Sequence, residues 1–153
     1  MKARVLDRIG RVTTWVLIFD KDEEVMAKLT DFATAEGISA AHFTAIGAFK
    51  DALLGYFDPT SRDYVKTSID EQIEVLSMDG DVALDGGEPK VHAHVVVSMS
   101  DGRAYGGHLL NGRVWPTLEL VLTESPEHLR RRTDRETGLA LIDLDASATP
   151  PAT

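Results

Sequence analysis

No cysteine occurs anywhere in the 153 residues. Disulfides and thiolate metal sites are therefore both excluded, and any soft-metal site must be built from imidazole and carboxylate. Long apolar runs are missing as well. None approaches the roughly 20 residues that cross a bilayer, so no membrane span is expected. The basic opening "MKARVLDRIGR" leads into no long apolar segment and is not read as a secretory signal, which leaves the cytoplasm as the expected location. Net positive charge is absent too, the formal balance being −9. That opposes non-specific binding to nucleic acid, whose affinity comes from cationic contacts to phosphate. The one dense basic patch is "HLRRRTDR", with Arg130, Arg131, Arg132 and Arg135. Its arginines suit the last turn of a helix, where cations complement the macrodipole. No internal repeat and no linker is visible, so a single domain is expected over residues 1–145. The small, polar, proline-bearing tail 146–153 is expected to be disordered.

What is present reads mostly as strands. "RVTTWVLIFD" (11–20) is rich in β-branched and aromatic residues. Asp20 with Glu23 resembles a capping box, and Val25, Leu29, Phe32 and Ala33 follow at helical spacing up to Gly37. These predict an amphipathic helix over about 21–36. "ISAAHFTAIGAF" predicts a strand with an irregularity at Gly47. "DALLGYFD" and "DYVKTSI" flank a turn at "PTSR", and "DGGEP" reads as a loop. Asp79-Gly80 and Asn111-Gly112 are turn signals, and "TLELVLTE" is a further strand. Ser125 as N-cap and Pro126 at the first helical position predict a short second helix over about 126–132. Many strands on hairpin-length connections, with two helices, make an α+β fold with a mainly antiparallel sheet.

Three of the five histidines fall in "VHAHVVVSMSDGRAYGGHL" (91–109). His92 and His94 are i, i+2, which on a strand puts both rings on one face, about 6.5–7 Å apart along the chain. Turn chemistry decides whether His108 joins them. A two-residue loop, Asp101-Gly102, would set His108 opposite Val95, on the wrong face. A three-residue loop, Ser100-Asp101-Gly102, would pair Met99 with Arg103 and put His94 opposite His108, with Gly102 left-handed in a G1 bulge. The other face then collects Val91, Ala93, Val95, Val97, Tyr105 and Leu109, so burial itself selects this register. Gly106 and Gly107 would leave open space beside the rings. Three neutral imidazoles suit zinc, and also nickel, copper or iron, with a coordination position left open. If "NG" turns a further hairpin, Thr117 and Glu119 reach the same face, Thr117 as a pocket group and Glu119 as either a ligand or an outer-sphere group. The competing reading is that alternating histidines are half-exposed strand residues with no ligand. His42 and His128 look isolated and read as structural or surface groups.

"FTAIGAFKDALLGYFD", "EQIEVLSMDGDVAL", "KVHAHVVVSMSDGRAYGGHLL" and "PTLELVLTE", in this order, resemble the PPC (plants and prokaryotes conserved) domain. The resemblance covers roughly residues 10–145. It implies an α/β fold with a mainly antiparallel sheet, assembly as a homotrimer, and His92, His94 and His108 as a zinc site. Prokaryotic members often carry a predicted DNA-binding label, which leans on plant relatives whose AT-hook makes the DNA contact. No Arg-Gly-Arg-Pro-like run of that kind appears here. The plant Gly-Arg-Phe-Glu partner-binding segment corresponds to Glu71-Gln72-Ile73-Glu74, of which only the last glutamate matches.

Three functions follow as expectations. The first is a homotrimeric zinc-binding module of otherwise unknown role, with a small ligand at the metal. The second is a metal-dependent hydrolase or lyase acting on a small polar molecule, with Glu119 or Glu74 as base. The third is a DNA-binding, transcription-associated protein working through Arg130, Arg131 and Arg132.

Overall fold

A computed structural model describes residues 1–148 of the chain. Its elements run β1 (Lys2–Ile9), β2 (Val12–Phe19), α1 (Val25–Ala35), β3 (Ala40–Asp58), β4 (Asp63–Ile69), β5 (Ile73–Asp85), β6 (Glu88–Ser98) and β7 (Ala104–Glu124). A small C-terminal unit follows, with β8 (Arg131–Thr133), β9 (Ala140–Ile142) and α2 (Leu144–Ser147). The main sheet has seven strands in the order β1-β2-β7-β6-β5-β3-β4. All its pairings are antiparallel, as expected of the α+β class. The long strands β3 and β7 also pair with each other, which closes β3-β5-β6-β7 into a ring.

Alternation along the strands decides what fills that ring. On β3, Ala41, Phe43 and Ala45 point inward and are buried, whereas His42, Thr44 and Ile46 point out. On β6, Ala93, Val95 and Val97 point inward while His92, His94 and Val96 lie on the open face. Helix α1 lays Val25, Leu29, Phe32 and Ala33 over β6 and β7, completing the core with Leu17, Phe19, Leu120 and Leu122.

The helix begins later than its sequence suggests. Glu24, not Asp20, is the N-cap, its carboxylate accepting from Met26 N at 3.1 Å and Ala27 N at 2.7 Å. The cause is tertiary. Asp22 N donates to Val114 O at 2.8 Å and Val114 N donates to Glu23 O at 3.0 Å, so residues 22–24 are held against β7. Of the expected capping box only the return contact forms, Asp20 N donating to Glu23 Oε2 at 2.9 Å.

Two of the turn signals are not turns. β5 runs through Asp79-Gly80 and β7 through Asn111-Gly112 without interruption. These glycines serve close packing. A Cβ on Gly80 would lie 2.3 Å from His92 O and 2.4 Å from Phe43 Cζ, and one on Gly112 would lie 2.9 Å from the Phe49 ring. The expected helix over 126–132 is also absent. Ser125 N donates to Ala40 O at 2.8 Å, and Leu84 N donates to Leu129 O at 2.7 Å. The segment therefore spends its backbone groups along the ends of β3 and β5, then becomes β8. The second helix lies at Leu144–Ser147, capped by Asp143. It takes Ala146 and Ser147 out of the expected tail, and residues 149–153 lie outside the described residues. Strand β1, unforeseen in the basic N-terminal stretch, pairs with β2 across Gly10. Among the described residues no helix is long and apolar enough to cross a membrane.

Gly80→Ala should lower stability by about 1–3 kcal/mol, the usual cost of forcing a methyl into a packed site. Urea unfolding measures it, and a wild-type midpoint would mean that β5 and β6 can separate at this point without cost.

Candidate metal centre

The hairpin β6–β7 carries the site, and its turn has the three-residue form. Met99 N donates to Arg103 O at 2.8 Å, Gly102 N donates to Met99 O at 3.0 Å, and Gly102 has φ +81°. The paired residues run Ser98 with Ala104, Val97 with Tyr105, and on to His94 with His108. His92 lies two residues further along β6, on the same face.

The three rings form a compact triangle. Their centroids are 5.1 Å apart for His92 and His94, 5.1 Å for His92 and His108, and 5.6 Å for His94 and His108. One ring nitrogen from each lies within 4.8 Å of the others. A tetrahedral zinc with bonds of 2.0–2.1 Å needs such nitrogens about 3.3 Å apart, so small ring rotations would bring the set onto one ion. The Nδ1 of His108 is buried without a hydrogen-bond partner in the described residues, a condition that a bound cation relieves. Donor type, convergence and an unsatisfied nitrogen all fit a divalent transition ion. Such an ion, when bound, supplies a Lewis acid and a water of lowered pKa.

Glycine shapes the surroundings. A Cβ on Gly107 would meet Gly55 O at 2.8 Å, and one on Gly55 would meet the Tyr64 ring at 2.7 Å. Without those methyls β3 approaches β7 closely, and Tyr64 stacks on His108 with centroids 4.8 Å apart and planes at 21°. The rings open into a cavity of about 750 Å³, lined also by Tyr56, Ser77, Asp79, Gly106 and Leu141.

Burial is the main reason that His108 has its pKa pushed down to about 4, helped by the charges of His92, His94 and Arg131. His94 is lowered as well, by burial and then by His92. Burial of Asp81 works to raise its pKa, but a hydrogen bond with His92 and the Arg131 guanidinium outweigh it and hold the carboxyl below its usual value.

The other sequence-predicted groups fall elsewhere. With no turn at Asn111-Gly112, Thr117 and Glu119 continue up β7 away from the histidines. Thr117 Oγ1 donates to Phe19 O at 3.3 Å, and Glu119 pairs with Ile18 and Ile46. Glu74 lies opposite Ser98 and lines a separate hollow with Glu71 and Gln72. Gly106 and Gly107 do line the cavity. His42 sits on the open face beside Asp81, and His128 Nδ1 is 2.9 Å from Ser39 Oγ. The carboxylate in the cavity is Asp79, whose Oδ2 accepts from Ser77 Oγ at 2.5 Å. Its signal was its i, i+2 spacing from Asp81, masked by reading Asp79-Gly80 as a turn.

His108 protonates in the folded chain only near pH 4, below the ordinary value of 6.5, so acid favours the unfolded state. Stability from this group is whole above about pH 6.5 and lost as pH falls toward about 4. The melting temperature of chelator-treated protein should drop across that window, and His108→Gln should flatten the drop. A level wild-type profile between about pH 7 and about pH 5 would mean that the ring protonates freely in the folded state.

Comparison with known proteins bears on family. The model of the Plants and Prokaryotes Conserved (PCC) domain matches residues 8–126. A plant- and prokaryote-conserved (PPC) protein of Pyrococcus horikoshii superposes with a TM-score of 0.81 at 34% identity, covering 85% of this chain and 90% of that one. A metal-containing protein of Archaeoglobus fulgidus gives 0.80 at 34% identity, covering 93% and 99%. A Bacteroides thetaiotaomicron protein named for a proposed DNA-binding role gives 0.84 at 25% identity, covering 91% and 96%. The bifunctional protein GlmU of a Synechococcus strain is 33% identical over 148 residues, 94% of this chain. This chain spans only 22% of the length of the curated relatives it matches. The matched span takes in β2 through β7, the whole ring and its histidine hairpin, and on that ground the chain belongs to the plants and prokaryotes conserved domain family.

Proposed function

We propose that this protein is a cytoplasmic metal-binding module that holds zinc, or another divalent transition ion, through His92, His94 and His108. The observation that carries this reading is the convergence of three ring nitrogens within 4.8 Å, on histidines that line an open cavity. Three protein ligands leave a position for a small molecule, and the cavity has room for one. The metal-containing relative of Archaeoglobus fulgidus supports it, at 34% identity over nearly its full length.

We further propose that it works as a homotrimer. The sheet face that bears the histidines also bares Ile46, Val96 and Val121, which are 59%, 43% and 41% exposed. A patch of this kind is what a second copy covers. A metal-assisted hydrolase or lyase would need a base beside the ion, and Asp79 supplies a carboxylate in the same cavity where Glu119 and Glu74 do not.

The DNA-binding reading finds less support. Arg131 is buried against Asp81, and Arg132 Nη1 pairs with Asp143 at 3.0 Å. Arg131 is thereby withdrawn from the surface, Arg132 stays exposed beside an acidic partner, and the chain has a formal charge of −9.

Purified protein should hold close to one zinc per chain by elemental analysis, His94→Ala should lose it, and the size-exclusion mass should be that of a trimer. Metal-free wild-type protein that takes up no zinc on titration would falsify the metal reading, and a monomer mass would remove the trimer. A gel shift with duplex DNA at about 0.15 M salt should show no retention. Salt-sensitive retention lost in Arg130→Ala would restore the DNA-binding reading.

A further inference from the structure

Asp81 stands on the open face of β5, opposite His42 on one side and His92 on the other. Its two carboxylate oxygens face different partners. Oδ2 lies 3.4 Å from His92 Nδ1, and Oδ1 accepts from Arg131 Nη2. Arg131 belongs to β8, and its side chain is only 6% exposed. Its Nη1 donates to Ala140 O on β9 at 3.0 Å. The β8–β9 hairpin also sends Leu139 and Leu141 to the cavity wall. One carboxylate thus joins a ring of the metal centre to the segment that walls its cavity.

An imidazole that ligates through one nitrogen is held in tautomer and angle by what its other nitrogen donates to. With Nδ1 of His92 turned to Asp81, Nε2 is the nitrogen left for an ion. A half-buried carboxylate is itself free to turn unless something fixes it. A guanidinium does so directionally, and cancels the charge that burial penalises.

We infer that Asp81 and Arg131 are positioning residues for the metal centre. Asp81 sets the tautomer and angle of His92, and Arg131 locks Asp81 and so couples the ion to the β8–β9 hairpin. The inference rests on the three-histidine reading above. Linkage makes the coupling reciprocal: the affinity that the hairpin adds to the ion, the ion returns as stability of the hairpin.

Zinc affinity of the full chain, read by competition with a chromogenic chelator, should fall about 10- to 100-fold in Asp81→Asn. Arg131→Met should weaken it in the same sense. The double variant should be no weaker than Asp81→Asn alone, because both act through one contact. The visible bands of the cobalt-loaded protein should shift in Asp81→Asn while stoichiometry holds at one per chain. Amide exchange over residues 131–142 should slow on zinc addition in the wild type and not in either variant. Should Asp81→Asn fail to fold, Arg131→Met carries the affinity and exchange measurements, since it leaves all the histidines and their carboxylate in place. Unchanged affinity in the variants, or additive losses in the double variant, overturns the inference and leaves a zinc-binding wild type standing. A wild type that binds no zinc overturns both.

Discussion

Parity of strand pairing is the constraint on which the rest of this structure depends. In the β6–β7 hairpin a left-handed Gly102 sets Met99 against Arg103, and every pair beyond follows from that one contact. The side-chain period of a strand is two, so a slip of one residue would exchange the faces. Val95, Val97 and Leu109, now buried, would meet solvent, and imidazoles would enter the core. The apolar set and the histidines are therefore a single choice. Burying the first on the inside delivers the second to the outside, at one place.

Close approach of backbones is the second requirement, and glycine meets it. Gly107 admits Gly55, Gly55 admits the Tyr64 ring, and Tyr64 lies flat on His108. Gly80 does the same where β5 passes His92 and the edge of Phe43. These contacts link the core side of the sheet to the ligand side. A methyl at Gly55 would press on the ring that stacks on His108, while one at Gly107 or Gly80 would press on the backbone of Gly55 or His92.

Which parts could be read from the chain follows from the range of the forces involved. The hairpin and its register were legible, because turn chemistry and alternation act within a few residues. The helix was legible through Val25, Leu29, Phe32 and Ala33, although not its start, which backbone bonds to Val114 decide. Gly80 and Gly112 looked like turn glycines because their purpose, room for Phe43 and Phe49, comes from other strands. The region after Ser125 misled for the same reason: its backbone groups are claimed by Ala40 and Leu84. Three site histidines were visible as a pattern. Asp81 and Arg131, whose meeting spans 50 residues, left no local trace.

Half-burial of the rings bears on what they can hold. Protons and metal ions compete for the same imidazole nitrogens. A ring held down to about 4 carries no proton near neutrality, so an ion would meet no such competitor at His108. The usual penalty of that choice is a polar nitrogen stranded in an apolar wall, and His108 Nδ1 is in that position. Asp81 and Arg131 complete the balance, because their opposite charges offset each other. Together they give His92 a directional acceptor without adding net charge beside the site. Among the described residues lining the cavity, Asp79 is the one carboxylate, and its Oδ2 accepts from Ser77 Oγ. Three converging imidazoles, a charge-balanced outer pair and one carboxylate in the cavity suit a cation first, and a small polar molecule through that cation.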